Sequence, residues 1–452
     1  MSMPSNTSAG DGGGRLWRMR RGSALARRAG WGIADQAVSS LTNFALVIVV
    51  AHESDTLTFG LFALAFATYS IALGCCRGLC SEPLVVRYSD VPASVWRSGV
   101  PLATGSALAI GAILGVVCVA IGLVAGGQAT GLFVVLGLML PGLLLQDTWR
   151  YSFFAAKRGS SAFANDAICA LLLLPALVAF VVMSHLSAAM AMALWGGAAT
   201  VAALAGIAQA RLLPRPLRIS TWWRRQSDLA PRYLAEFTAI AGESQVVLYG
   251  IAVIVNLAAV AAIRGGLMLL GPLNILVFGV GMSGVPEAVR LLRSGVRRLI
   301  VWCVAISAGM VVLIALWAGM LMLVPSSLGS SVVGPVWHTA RPLVPALAIG
   351  MAALAVVIGA AIGLRALQAA PRSLRARLIV SPTIMGCGLA GAAVHGALGG
   401  AWGLAIGQSL AAVVFWYYFM GAVAERNRAS ANTRSVPLDH LPDRLRLAVE
   451  RR

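Results

Sequence analysis

Apolar runs of membrane-spanning length follow one another along almost the whole sequence, and that pattern leaves few folds open. They fall near residues 31–51, 58–80, 101–124, 129–150, 164–184 and 187–210, and again near 232–256, 259–283, 299–323, 341–364, 377–396 and 399–423. A bilayer core is crossed by roughly 17–25 apolar helical residues, and each run meets that length. In hydrocarbon every backbone N–H and C=O needs an internal partner, so only helices or a closed barrel can span. Barrel strands alternate apolar and polar residues. These runs are continuous, so helices are the solution. Only 11% of the residues are charged and mean hydropathy is +0.84, against roughly a quarter charged in a soluble domain. The chain reads as an all-α polytopic membrane protein of about 12 transmembrane helices.

The formal net charge of +19 sits in short segments between the runs. In a soluble chain it would suggest nucleic acid; here no nucleic-acid partner is expected, and the cations read as topology signals and contacts to anionic membrane lipids. Six arginines lie within residues 15–28, and others crowd 211–225, 290–298, 365–377 and the tail, whereas the alternate loops carry none. Cytoplasmic loops concentrate Lys and Arg, so both termini are expected in the cytoplasm. The first run opens with Asp35 after a long basic arm, so it reads as a spanning helix and not a cleavable leader.

The expected organisation has five parts. Residues 1–30 form a disordered, basic arm, with a short interfacial helix at 15–28. An N-lobe covers 31–210, an interfacial linker 211–231, a C-lobe 232–423 and a basic tail 424–452. Three recurring strings suggest that the lobes repeat: SEPLVVR (81–87) with GVPEAVR (284–290), RSGV at 97–100 and 293–296, and AAKR (155–158) with AAPR (369–372). Six spans per unit give both the same orientation, and a parallel repeat implies a substrate route between six-helix lobes. Pro141, Pro175, Pro272 and Pro382 fall within runs as candidate kinks. Glycines such as Gly111, Gly115, Gly403 and Gly407 would admit close helix packing.

Conventional enzyme chemistry finds no support. There is no P-loop and no HExxH, and the five histidines are scattered. No metal site and no cofactor are expected beyond a coupling proton or sodium ion. The seven cysteines lie in apolar runs and read as buried thiols.

Ionisable residues inside a span are costly and suggest a cavity or an ion path. Glu243 lies about 16 Å beyond the inner end of its run, near the bilayer midplane. It lines a cavity as a proton or cation site, or it hydrogen-bonds between packed helices. Arg264 attracts an anionic substrate group or snorkels to lipid phosphate. Asp147 and Arg150 share a helix face, either at a substrate entrance or as a local pair capping the fourth helix. Asp35, Gln36, Arg77 and Glu82 mark inner ends of the first two helices, and Asn165 and Asp166 that of the fifth. Glu82, Asp147, Arg150 and Asp166 are therefore gate candidates.

The strings WGIADQAVSSLTNFALVIVVA, TFGLFALAFATYSIALG, SEPLVVR and LQDTWRYSFFAAKRGSSAFANDA, with GPLNILVFG in the second half, resemble bacterial polysaccharide (O-antigen/capsule-type) flippases. These belong to the multidrug/oligosaccharidyl-lipid/polysaccharide (MOP) exporter superfamily. The resemblance implies two six-helix lobes around a V-shaped cavity and alternating access for a polyprenyl-diphosphate-linked oligosaccharide. It implies a sugar-binding face from Asp35, Gln36, Ser39, Ser40 and Asn43, with Arg264 and Arg77 toward the diphosphate and Glu243 as a coupling site. Polysaccharide polymerase or glycosyltransferases would be partners. A cation-coupled small-molecule exporter of the same fold, or a non-transporting scaffold for polysaccharide assembly, are the alternatives.

The loop charges give a direct test. Single cysteines introduced across 290–298 are expected to react with a membrane-impermeant maleimide only after permeabilisation; labelling of intact cells would invert the topology.

Overall fold

The computed structural model describes residues 11–89, 91–183 and 186–434. Asp90, the extreme N-terminal residues and the end of the expected basic tail (435–452) lie outside it. Among the described residues there are helices and turns but no strand. In chain order the helices are α1 (Asp11–Glu53), α2 (Thr56–Cys76), α3 (Glu82–Tyr88), α4 (Ala93–Ala125), α5 (Gly127–Ala155), α6 (Gly159–Val182), α7 (Ala188–Ala210) and α8 (Ile219–Gln226). They continue with α9 (Ala230–Ile254), α10 (Leu257–Leu269), α11 (Gly271–Ser294), α12 (Val296–Leu323), α13 (Ser326–Val333), α14 (Val336–Ala340), α15 (Val344–Ala366) and α16 (Ala370–Arg434). Among the described residues, nine helical stretches are long and apolar enough to cross a membrane. The protein is a multi-pass membrane protein.

The chain divides into two compact units. One comprises residues 1–245 with 327–337; the other comprises 246–326 with 338–452. The boundary falls within α9.

Several expected spans take a different form. The basic segment 15–28 is not a separate interfacial helix: α1 runs unbroken from Asp11 through Glu53. The run at 259–283 is divided between α10 and α11. Pro272 stands in the first turn of α11, where its missing N–H costs nothing, and so it starts a helix instead of kinking one. The runs at 377–396 and 399–423, by contrast, are the two arms of 370–434, which turns back at His395 and Gly396, whose φ is +59°. A Cβ on Gly391 would lie 2.2 Å from the Gly399 carbonyl oxygen, and one on Gly403 2.1 Å from that of Cys387. The two arms of α16 therefore fold back as a glycine-seamed hairpin, because only a missing side chain lets the backbones approach this closely.

Polar caps mark other helix starts. The Asp55 side chain accepts from the Thr58 N–H at 2.7 Å, and Asn256 accepts from Ala259 at 2.9 Å. Helices α5 and α15 end in the same turn. Lys157 (φ 59°) donates to the Phe154 carbonyl and Arg158 to that of Phe153; Gln368 (φ 57°) donates to Arg365 and Ala369 to Leu364. This nested pair around a left-handed residue is the Schellman arrangement. Lys157 thus corresponds to Gln368, not to Pro371 as the AAKR/AAPR strings suggest. The RSGV strings also differ in structure. The first lies inside α4, while the second breaks at Gly295 (φ 133°) between α11 and α12.

Within the first unit α4 lies along α5 and α5 along α7. A Cβ on Gly137 would fall 2.5 Å from the Gly115 carbonyl oxygen, and one on Gly111 2.7 Å from the Pro141 Cα. The linker folds onto the same unit. Trp222 of α8 is buried, donates from Nε1 to the Leu79 carbonyl at 3.0 Å and stacks on Tyr88; Arg87 forks onto Asp228 at 2.6 and 2.7 Å. All seven cysteines are free thiols.

Gly137→Val is expected to destabilise by about 2–3 kcal/mol through overpacking. Gly197→Ala, which meets nothing within 4 Å, is expected to be neutral or slightly stabilising. Thermal unfolding in detergent checks both.

Candidate functional site

A cavity of about 270 Å³ lies inside the first unit. Its walls come from α1, α2, α5, α6 and α7. Gln36, Ser39, Thr42 and Asn43 recur at three- and four-residue intervals and so share one face of α1. Phe66, Tyr69 and Arg77 come from the α2 end, Gln146, Asp147 and Arg150 from α5, Asp166 from α6 and Trp195 from α7.

Arg150 is the centre of the site and is buried. Its Nη2 donates to Asp35 Oδ2 at 2.6 Å, its Nε lies 3.0 Å from Asp166 Oδ2 and its Nη1 3.5 Å from Asp147 Oδ1. Asp35, Asp147 and Asp166 are equally buried. Arg77 completes the cluster with a bidentate grip on Asp147, Nη2 to Oδ1 at 2.6 Å and Nε to Oδ2 at 2.9 Å. The parallel fork is the strongest geometry this pair can adopt. Gln146 donates to Asp166 at 2.6 Å and to Asn165 Oδ1 at 3.2 Å, while Asn165 reaches the Ala202 carbonyl at 2.7 Å. Gln36 is held by Ser40 at 3.0 Å.

The local backbone aims Arg77 inward. Residues Arg77–Ser81 form a π-helical turn between α2 and α3. Such a turn changes the angular register of the next helix, and it often marks a functional position. Gly78 allows it to pack close: a Cβ there would meet the Leu234 backbone nitrogen at 2.9 Å.

The opposite wall is aromatic. The Trp195 ring lies 4.6 Å from Tyr69, edge to face, and 5.6 Å from Phe66 at 26°. These are favourable offset and T-shaped geometries. Arg77 also lies over the Tyr151 ring at 5.4 Å.

The structure gathers eight of the residues singled out in the sequence: Asp35, Gln36, Ser39, Asn43, Arg77, Asp147, Arg150 and Asp166. Glu82, Glu243 and Arg264 do not line this cavity; Glu82 stands at the start of α3, Glu243 within α9 and Arg264 within α10 of the other unit. Asp147 and Arg150 do pair locally, at 3.5 Å. Their mutual contact is the longest in the cluster, and each finds its shorter bonds on another helix. Helix α5 continues to Ala155, so the pair is no terminal cap. Phe66, Tyr69 and Trp195 carry no signal in sequence, since aromatic residues in apolar spans look like ordinary core.

Two guanidinium groups face three carboxylates, which leaves one negative charge in excess when all are ionised. The buried Asp35 Oδ1 makes no hydrogen bond. A charge in a dry site is stable only when paired.

No family model matches the chain, and no curated protein sequence matches it. Solved structures do. An inward-facing multidrug-resistance MATE-family transporter of the MOP superfamily aligns over 90% of this chain and 99% of its own, with a TM-score of 0.59 and 15% identity. An outward-facing one aligns over 89% and 96%, with 0.56 and 15%. The lipid II flippase MurJ, in an inward closed conformation, aligns over 87% and 89%, with 0.60 and 10%. The fold is that of MOP-superfamily transporters. These structural neighbours are transporters and a flippase, not enzymes.

Removing Arg150 strands buried carboxylates, whereas removing one carboxylate balances the cluster. Arg150→Gln is expected to destabilise by about 3–5 kcal/mol, and Asp166→Asn by distinctly less. Unfolding midpoints in detergent should keep that order; the reverse order would reject the charge count.

Proposed function

We propose that this protein is a flippase for a polyprenyl-diphosphate-linked oligosaccharide, moving the glycan head across the cytoplasmic membrane by alternating access. The observation that carries the reading is the composition of the cavity walls. Gln36, Ser39, Asn43 and Gln146 offer amide and hydroxyl groups on one side, and Phe66, Tyr69 and Trp195 offer ring faces on the other. A sugar has the complementary surface: a rim of hydroxyls and an apolar face of C–H groups. Fixed amides and acids satisfy the rim, and aromatic rings bury the face. The barrier removed is the desolvation of many hydroxyls in hydrocarbon.

The surplus carboxylate charge supplies the drive. One proton or one monovalent cation neutralises the cluster, and its arrival or loss changes which helices Arg77 and Arg150 hold together. Asp35, Asp147 and Asp166 sit on α1, α5 and α6, so coupling acts directly on the helices that line the cavity. In this reading the chain has twelve spans in two like-oriented lobes, both termini in the cytoplasm, and the bacterial inner membrane as its location. Glu243 serves as a second ionisable site and Arg264 as an anchor for the diphosphate. Polysaccharide polymerase or glycosyltransferases are its partners.

A second reading draws on the same charge. A negative, aromatic cavity also suits an organic cation, which would make the protein a cation-coupled small-molecule exporter. The two separate cleanly by experiment. Deletion of the gene is expected to abolish the surface glycan and accumulate lipid-linked precursor in the inner leaflet. Trp195→Ala is expected to cut flipping of a lipid-linked glycan in proteoliposomes by up to about tenfold, the scale of one lost aromatic contact. Normal glycan export in the deletion strain, with loss of organic-cation efflux, would replace the first reading by the second.

A further inference from the structure

A second cavity of about 510 Å³ in the first unit has no part in that reading. It opens where the connection from α3 to α4 meets the turn from α5 to α6, and its walls include Tyr88, Ser89, Trp96, Arg97, Lys157 and Arg158. Tyr88 and Trp96 are buried and fixed in place. Trp96 donates from Nε1 to the Ser152 carbonyl at 3.1 Å, and Tyr88 stacks on Trp222. The three cations stand exposed around this aromatic wall. Arg97 reaches only the Arg211 carbonyl at 3.4 Å; Arg158 reaches that of Gln209 at 3.3 Å and lies over the Phe153 ring at 5.6 Å. Among the described residues neither arginine meets a carboxylate.

The cations are not required by the turn that carries them. The same Schellman turn closes α15 with Gln368 and Ala369 in the places of Lys157 and Arg158. Inside-positive topology asks for charge on a loop. It does not ask that three cations converge on one cavity beside a fixed tryptophan. Helix α4 begins at Ala93, which lines the cavity, and Arg158 caps the start of α6. The C-terminal ends of α3 and α5 lie at the same cavity, so the helix dipoles oppose one another there and the side chains set its charge. Cations and an aromatic wall at the level of inter-span loops match a phosphate carried on a lipid.

We propose that this cavity binds the phosphate of a net anionic membrane-lipid headgroup, one with no cation of its own to repel Arg97, Lys157 and Arg158. The phosphate belongs either to a bulk anionic phospholipid or to a polyprenyl diphosphate; the shared chemistry is a phosphate oxyanion held by Arg97, Lys157 and Arg158. The proposal rests on the membrane fold and not on the nature of the cargo.

The test uses the full chain in neutral detergent and native mass spectrometry with three probes: phosphatidylglycerol, undecaprenyl diphosphate and phosphatidylcholine. The variant combines Arg97→Gln, Lys157→Gln and Arg158→Ala. Its last two changes install the residues that the matching turn already tolerates. Each cation near a lipid phosphate is worth a factor of about five, so the triple variant should bind phosphatidylglycerol, undecaprenyl diphosphate or both about 100-fold more weakly. Phosphatidylcholine binding should not change. Loss for phosphatidylglycerol identifies a structural lipid; loss confined to undecaprenyl diphosphate identifies the substrate anchor. Unchanged binding of both anionic probes, or an equal loss for phosphatidylcholine, overturns the proposal. If the variant fails to fold, the wild-type protein decides through salt. Raising ionic strength from about 0.1 to about 1 M shortens the screening length from about 10 to about 3 Å, and salt-insensitive binding overturns the proposal equally. Absence of glycan flipping with intact phosphate binding would remove the flippase reading and leave this site standing.

Discussion

A guanidinium in a dry interior must be met by carboxylates, and Arg150 is met by three. That requirement ties α1, α5 and α6 together at one point, and the grip of Arg77 on Asp147 adds α2. Each bond is individually a weak source of stability, because the desolvation of both ions offsets most of the attraction. What the cluster supplies is position. Four helices cannot slide past one another without stranding a charge, so at this point they move as a unit or exchange partners in discrete steps. Two discrete arrangements, and not a continuous slide, are what an alternating device needs.

The charge imbalance arises from the same geometry. With two cations and three anions, the cluster holds one more carboxylate than guanidinium. The polar face of α1 borders both this cluster and the aromatic wall of Phe66, Tyr69 and Trp195. The charged cluster and the aromatic wall are therefore separated by a single helix turn or two. The glycine contacts of α4 with α5 and of the two arms of α16 play the complementary part. They lock helices side by side with backbone-to-backbone packing, in regions where no charge is available to do so.

The residues of the candidate site are legible in sequence to a marked degree, because charge inside an apolar run is rare and costly wherever it occurs. Asp35, Arg77, Asp147, Arg150 and Asp166 stand out for that reason alone. Their partners do not. Spacing favours a local Asp147–Arg150 pair, since residues three apart share a face; the fold keeps that contact but gives Asp147 its shorter bonds with Arg77, distant in sequence. The π-helical turn at Arg77–Ser81 leaves no trace, because it reflects a packing demand and no residue type encodes it. Repeated strings mislead at the α5 and α15 ends, where the backbone turns match and the letters fall out of register. Hydropathy runs straight through Leu270 and Gly271, so Pro272 reads as a mid-span residue; the helix break there costs no apolar residue.

Sequence alone determined that this chain spans a bilayer as helices, which loops carry positive charge, and which few residues are too polar to face lipid. Those properties depend on composition over a window, and a window of sequence contains them. Only the tertiary structure decided that five of the charges share one cluster, that Tyr69 and Trp195 form its neighbouring wall, and that Arg97, Lys157 and Arg158 surround a second cavity. Pairing between helices is a matter of which faces meet, and an apolar helix in an apolar solvent has no preferred face until its neighbours supply one.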